Sequence, residues 1–281
     1  MNYGMNASYE IEGGATARGD PRSPDRCSYP AAYDRGPGVR LATLALVFLL
    51  ALSATARSET RVALPLPSAP AVVGYLAKPA GLGPFPAVAL LHSCLGLPVN
   101  RRALADALVR AGFVALWVDD FSSRALSETC SVDFPEALTD ARAAAAFLKG
   151  LPEVDATRLA AVGFSQGGDT ALRLAVEASG FRAAAAYYPP CANLEGAKLA
   201  IPTLILIGAE DDVTPVRDCR AFAEGQANAE LIVFPGARHL FDEPAAAGGV
   251  RRFGMRFEYR AQAAHAAESA LLRFLRRHVG R

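Results

Sequence analysis

The sequence predicts an α/β fold, a mostly parallel twisted sheet with helices on both faces. Three observations lead there. Short apolar runs without polar alternation, such as Ala87–His92 (AVALLH) and Phe113–Val118, have the composition of strands buried on both faces. These runs alternate with helix-periodic segments, as parallel strands joined by crossover helices must. Finally, Gly163-Phe164-Ser165-Gln166-Gly167 fits Gly-x-Ser-x-Gly between an apolar run and a helix-like segment, the context of a sharp strand-to-helix turn.

Taken in order, residues 1–38 are rich in Gly, Pro and Ala with no apolar period. They read as a disordered extension upstream of the true translation start near Val39. Leu41–Ala54 is continuously apolar, follows Arg35 and Arg40, and leads into Ala54-Thr55-Ala56. It falls short of the about 20 residues a membrane span needs. Basic flank, short apolar centre and A-x-A predict a signal peptide over residues 39–56, a mature chain from Arg57, and a periplasmic or secreted protein. An uncleaved anchor is the alternative. No cysteine follows the cleavage point, which argues against a lipid anchor, so no stable membrane association is expected after cleavage.

Residues 57–281 read as one domain. Arg61–Leu66 and Val72–Lys78 alternate loosely between prolines, as antiparallel edge strands would. Ala87–His92 is a buried strand, and Asn100–Ala111 has apolar residues at helical spacing. Phe113–Val118 is the next strand, followed by a polar loop over Asp119–Asp133 and an alanine-rich helix over Pro135–Leu148. Arg158–Gly163 leads into the serine motif, and a helix follows from Gly168 to about Glu177. Ala183–Tyr187, Thr203–Ile207 and Leu231–Phe234 are three further strands with helices between them, and a last helix runs from about Gln262 to His278.

The 281-residue chain is 52% hydrophobic with a formal net charge of +1, which suits a large core and gives no long-range pull on nucleic acid or anionic lipid. Removing residues 1–56 takes away five basic and five acidic residues and leaves the balance unchanged. It also leaves Cys94, Cys130, Cys191 and Cys219, an even count that in an exported chain points to disulfides.

In such sheets ligands bind at the carboxyl ends of the strands. The serine motif has partners there. Gly208-Ala-Glu-Asp211-Asp212 follows the Thr203–Ile207 strand, and Pro235-Gly-Ala-Arg-His239 follows Leu231–Phe234. The order Ser, Asp, His is that of an α/β-hydrolase triad. Ser165 is the candidate nucleophile, His239 the base that takes its proton, and Asp211 the acid that orients the imidazole, with Asp212 the alternative. Of four histidines, His265 and His278 sit on the last helix, and His92 precedes the serine and reads as a structural hydrogen-bonding residue. Asp119 and Asp120 read as solvated loop residues or a loop anchor, and Asp169 as a complement to the helix dipole. The backbone N–H groups of Gln166 and Cys94 are the candidate oxyanion donors. A Cys94 nucleophile, lacking an elbow of its own, is a further alternative.

Here the chain resembles the dienelactone hydrolase family. The resemblance rests on His92-Ser-Cys-Leu-Gly96, Val118-Asp-Asp-Phe121 with Arg124, the serine motif, Tyr187-Tyr188-Pro189, Gly208-x-x-Asp211 with Thr214-Pro215, and Pro235-Gly-Ala-Arg-His239-Leu-Phe-Asp242. It runs from about residue 70 to 275. It implies a single α/β-hydrolase domain without a large cap, and it supports Asp211 as the acid and Cys94 as an oxyanion donor. The name-giving enzymes carry a cysteine where this chain has Ser165 and a glutamate where it has Ser93. Arginines bind the substrate carboxylate in the family, and Arg124 falls near one such position, which makes it a candidate substrate-binding residue. The implied strand layout pairs Cys94 with Cys130 and Cys191 with Cys219. The expected function is cleavage of a small-molecule ester, lactone or similar acyl substrate without metal or cofactor. A non-catalytic binding protein on the same scaffold, or an acyltransferase with the same triad, are the alternatives.

Overall fold

In the computed structural model, which describes residues 59–280, the first two strands are β1 (Thr60–Leu64) and β2 (Val72–Ala77). The expected extension 1–38 and signal segment 39–56 lie outside the described residues. β3 (Phe85–Leu91), β4 (Val114–Asp119), β5 (Val154–Phe164), β6 (Ala183–Tyr187), β7 (Thr203–Gly208) and β8 (Ala229–Phe234) complete an eight-stranded sheet in the order β1-β2-β4-β3-β5-β6-β7-β8. β1, β2 and β4 pair antiparallel, and every other neighbour is parallel. The helices are α1 (Arg101–Arg110), α2 (Glu136–Lys149), α3 (Gln166–Glu177), α4 (Val216–Ala223) and α5 (Ala261–His278).

The unbroken apolar runs have a direct physical cause. Successive strand residues point to opposite faces, and here both faces are covered. Val88 and Leu90 of β3 and Ala115 and Trp117 of β4 pack in a cluster with Leu108 of α1 and Leu271 of α5. Their alternates Ala87, Ala89, Leu91, Val114 and Leu116 pack in a second cluster with Ala141, Ala144 and Leu148 of α2. Each fully buried leucine contributes about 1.5–3 kcal/mol. In β6, Ala183–Ala186 form a strand despite alanine's poor β propensity, because all four are completely buried in the middle of the sheet and burial decides there.

The structure departs from the sequence reading in several places. β2 is not an edge strand but lies between β1 and β4. β5 starts at Val154, ahead of Arg158, because its first turn of polar residues is partly solvent-facing and carries no apolar run. Between β6 and β7 there is no α-helix, only a 3-10 turn at Cys191–Leu194 and irregular chain. A small hairpin of β9 (Val250–Arg252) and β10 (Met255–Phe257) stands in what reads as loop, since three-residue strands are too short to show a period.

Candidate active site

Ser165, Asp211 and His239 each lie in a segment leaving the carboxyl end of a parallel strand. The serine turn is the tightest of them. Ser165 has φ 54° and ψ −112°, a conformation that side chains rarely adopt. It is held from both sides: its N–H donates to the Tyr187 carbonyl at 2.9 Å, and its own carbonyl accepts from Asp169 N–H at 2.9 Å. The flanking glycines are dictated by backbone contact. A Cβ on Gly163 would lie 1.8 Å from the Gly167 carbonyl oxygen, and one on Gly167 would lie 2.3 Å from that of Leu91. Gly163→Ala is therefore expected to lower stability by about 3 kcal/mol or more, read as a lower urea midpoint. An unshifted midpoint would contradict this packing.

The histidine and acid reach the serine from two neighbouring loops. His239 is buried, with Nε2 2.9 Å from Ser165 Oγ and Nδ1 2.8 Å from Asp211 Oδ2. Asp211 has a fully buried side chain. Its Oδ1 accepts from the N–H groups of Val213 and Thr214, both at 2.9 Å, and Oδ2 lies 3.1 Å from Thr214 Oγ1. These donors fix the carboxylate so that its remaining lone pair faces the imidazole. Nδ1 thus carries the hydrogen, and Nε2 is the acceptor for the serine hydroxyl.

Asp212, the alternative acid, points away: its side chain is 55% exposed and lies 3.5 Å from Arg238. The two loops are locked by main chain. A Cβ on Gly208 would lie 2.3 Å from the Ala237 carbonyl oxygen, which also accepts from Glu210 N–H at 3.0 Å.

Gln166 opens α3, so its N–H is among the first-turn donors with no partner inside the helix. Ser93, Cys94, Ser165, Gln166 and His239 line one open cavity of about 600 Å³. The structure contains both implied disulfides, Cys94–Cys130 and Cys191–Cys219. Cys94 is accordingly not a free thiol. Thr129, beside Cys130, ties together the segments that bear the two candidate donors. Its N–H donates to the Cys94 carbonyl at 2.9 Å, and its hydroxyl donates to Gln166 Oε1 at 2.8 Å.

Arg124, the candidate substrate-binding residue, has partners of its own within the fold. Its guanidinium forms a two-pronged pair with the buried Asp140 carboxylate at 2.8 and 3.0 Å and also donates to the Asp120 carbonyl at 2.6 Å. It lies 5.6 Å from the centre of the Phe134 ring. Phe134 lines the cavity and Arg124 does not. The isolated buried carboxylate of Asp140 would be costly, and this arginine serves as its counter-ion.

Asp119 and Asp120 are buried loop anchors, not solvated residues. Asp119 accepts from the Ser122 N–H at 3.0 Å and hydroxyl at 2.5 Å, and Asp120 lies 2.6 Å from His92 Nε2. The other ring nitrogen of His92 is 2.7 Å from the Ser93 carbonyl. Burial alone would push this imidazole down. The Asp120 carboxylate, the Ser93 carbonyl and the charge of Asp119 outweigh it and hold His92 above its ordinary value.

A folded-state value above the unfolded one stabilises in full below about 6.5 and loses that stabilisation as pH rises through the folded value. The difference in Tm between wild type and His92→Gln is thus expected to shrink as pH rises from 5 to 9. A difference that stays constant would remove the ion pair from the account.

Tyr188, Thr214 and Phe257 complete the surroundings of His239, and sequence reading gave none of them a role. The Tyr188 ring is 4.5 Å from the imidazole and that of Phe257 is 5.8 Å away. The Tyr188 hydroxyl donates to Asp242 at 2.7 Å, and burial pushes the Asp242 carboxyl up to about 6. The recurrence of Tyr188, Thr214 and Asp242 within the quoted motifs was the one available signal. Among the described residues no group of His, Cys, Asp or Glu is arranged to hold a metal ion.

An eight-stranded, mostly parallel sheet with a serine elbow and with acid and histidine loops following in chain order defines an α/β-hydrolase. A sequence model of the dienelactone hydrolase family matches residues 72–279, and the chain belongs to that family, whose members are hydrolases of ester or lactone bonds. The Bradyrhizobium sp. protein named "Probable 2-oxo-3-(5-oxofuran-2-ylidene)propanoate lactonase" is 29% identical over 236 residues, covering 74% of this chain and 90% of its own. Solved structures that share the fold include the following two. A dienelactone hydrolase-like promiscuous phosphotriesterase from metagenomic libraries has a TM-score of 0.65 at 21% identity over 79% of this chain and 100% of its own. The dienelactone hydrolase from Anabaena variabilis has a TM-score of 0.59 at 21% identity over 79% of this chain and 98% of its own.

Proposed function

We propose that this protein is an exported serine hydrolase that cleaves a carboxylic ester, lactone or similar acyl substrate through an acyl-enzyme. The continuous hydrogen-bonded line from Ser165 Oγ through His239 to Asp211 carries the reading. As Ser165 Oγ attacks the carbonyl carbon, His239 Nε2 takes its proton, and Asp211 stabilises the resulting imidazolium. The oxygen that gains charge is received by the N–H groups of Gln166 and Cys94. His239 then returns the proton to the leaving alcohol, and water repeats the sequence to release the acid. Family membership and the lactonase name of the Bradyrhizobium relative support ester or lactone bonds as the target. Two disulfides support an oxidising compartment, and with it removal of a leader ahead of Arg57.

The test uses 4-nitrophenyl esters of rising chain length, followed by reaction with a serine-directed organophosphate and peptide mapping. Turnover with the label on Ser165 is expected. A protein that neither hydrolyses any ester nor accepts the label would be a binding protein on this scaffold.

A further inference from the structure

We infer that the cavity at Ser165 selects acyl groups that carry no negative charge, an inference that rests on the esterase reading above. The charges around the cavity point that way. Apart from His239, the titratable side chains lining it are Asp133, Asp169 and Arg173. Arg173 is one helical turn from Asp169 and donates to it through Nε at 2.6 Å, while Asn193 approaches the other Asp169 oxygen at 3.2 Å. That leaves the exposed Asp133 without an ion-pair partner among the described residues, so the lining side chains sum to one negative charge.

The arginine that could have received a carboxylate, Arg124, is behind Phe134 and committed to Asp140. Apolar side chains hold a large share of the lining, among them Leu95, Val132, Phe134, Leu138 and Met255. An anionic acyl group would give up its hydration for such walls, meet Asp133, and add to the negative charge that develops on the carbonyl oxygen. A neutral aliphatic or aryl group meets none of these penalties.

Two substrates of matched length settle the matter, 4-nitrophenyl pentanoate and mono-4-nitrophenyl glutarate, assayed on the purified protein with subtraction of spontaneous hydrolysis. The expected kcat/KM favours the neutral ester by about tenfold or more. Asp133→Asn should narrow that ratio at least threefold, and Arg173→Gln, which strips Asp169 of its ion partner and leaves the lining with two negative charges, should widen it. Equal or better turnover of the glutarate would overturn the inference, as would an Asp133→Asn variant that leaves the ratio unchanged. If neither ester is hydrolysed and Ser165 takes no organophosphate label, the esterase reading falls and this inference with it. If Ser165 is labelled and the charge preference is reversed, only the inference falls.

Discussion

Replacing Ser165 with alanine is expected to lower kcat for any 4-nitrophenyl ester by about 10⁵- to 10⁶-fold, the loss seen when the nucleophile of a working triad is removed. Two observations make so large a loss the expectation. Among the described residues His239 Nε2 has one hydroxyl in reach, that of Ser165 at 2.9 Å. The thiol that might stand in, Cys94, is bound to Cys130. The residual rate comes from whatever the amide donors and the cavity achieve with water as nucleophile. The far-ultraviolet circular dichroism and Tm should stay close to those of wild type, because alanine occupies the same strained backbone position as serine. Turnover within tenfold of wild type would assign the nucleophile elsewhere.

Asp211→Asn should cost about 10³- to 10⁴-fold in kcat with KM little changed. An asparagine amide can still sit between Val213 N–H, Thr214 N–H and His239, but it cannot accept from all of them. Either its NH₂ is forced against backbone donors, or it presents that NH₂ to His239 Nδ1. In the second case the imidazole hydrogen moves to Nε2, and a ring that donates toward Ser165 Oγ cannot take its proton. The neighbours provide the control. Glu210 and Asp212 face Arg238 at the surface, at 2.9 and 3.5 Å. Glu210→Gln and Asp212→Asn should each remain within about threefold of wild type, the scale of a screened surface charge. A larger loss in Asp212→Asn than in Asp211→Asn, measured with the same ester, would reverse the assignment of the acid.

The sequence made the sheet legible because its central strands are buried on both faces, and such strands have no choice but to be continuously apolar. The serine turn was legible for a related reason: Gly163, Gly167 and Gly208 stand where backbone meets backbone, and no other residue fits. His239 stood out because histidine is scarce in this chain. Asp211 could not be separated from Asp212 by the loop sequence itself, since only the course of the chain decides which carboxylate turns inward. Its spacing from Pro215 supplied the distinction through the family pattern.

The partners of Arg124 were hidden for the converse reason. Its partner Asp140 lies 16 residues away on α2, and a half-buried arginine paired with a buried aspartate leaves the same letters as an arginine waiting for a ligand. Thr129 was equally silent, because its contacts join loops that are remote along the chain. The hairpin at 250–257 shares this silence: its Phe257 bridges to His239, yet three-residue strands have no pattern of their own.

Gly208 has a wider meaning. Because it admits the Ala237 carbonyl almost to contact, the spacing between acid and base is written into the main chain, and the serine is likewise held by amide and carbonyl groups of β6 and α3. The chamber beside the serine is assembled differently, in part from side chains of residues 129–138 and of the hairpin. The spacing that governs proton transfer and much of the wall are thus set by different parts of the chain, joined where Thr129 and the Cys94–Cys130 disulfide tie the wall to the candidate amide donors. Wall positions away from those ties, such as Val132, Phe134 and Met255, can be rebuilt while the proton-transfer distances stay where the backbone has fixed them.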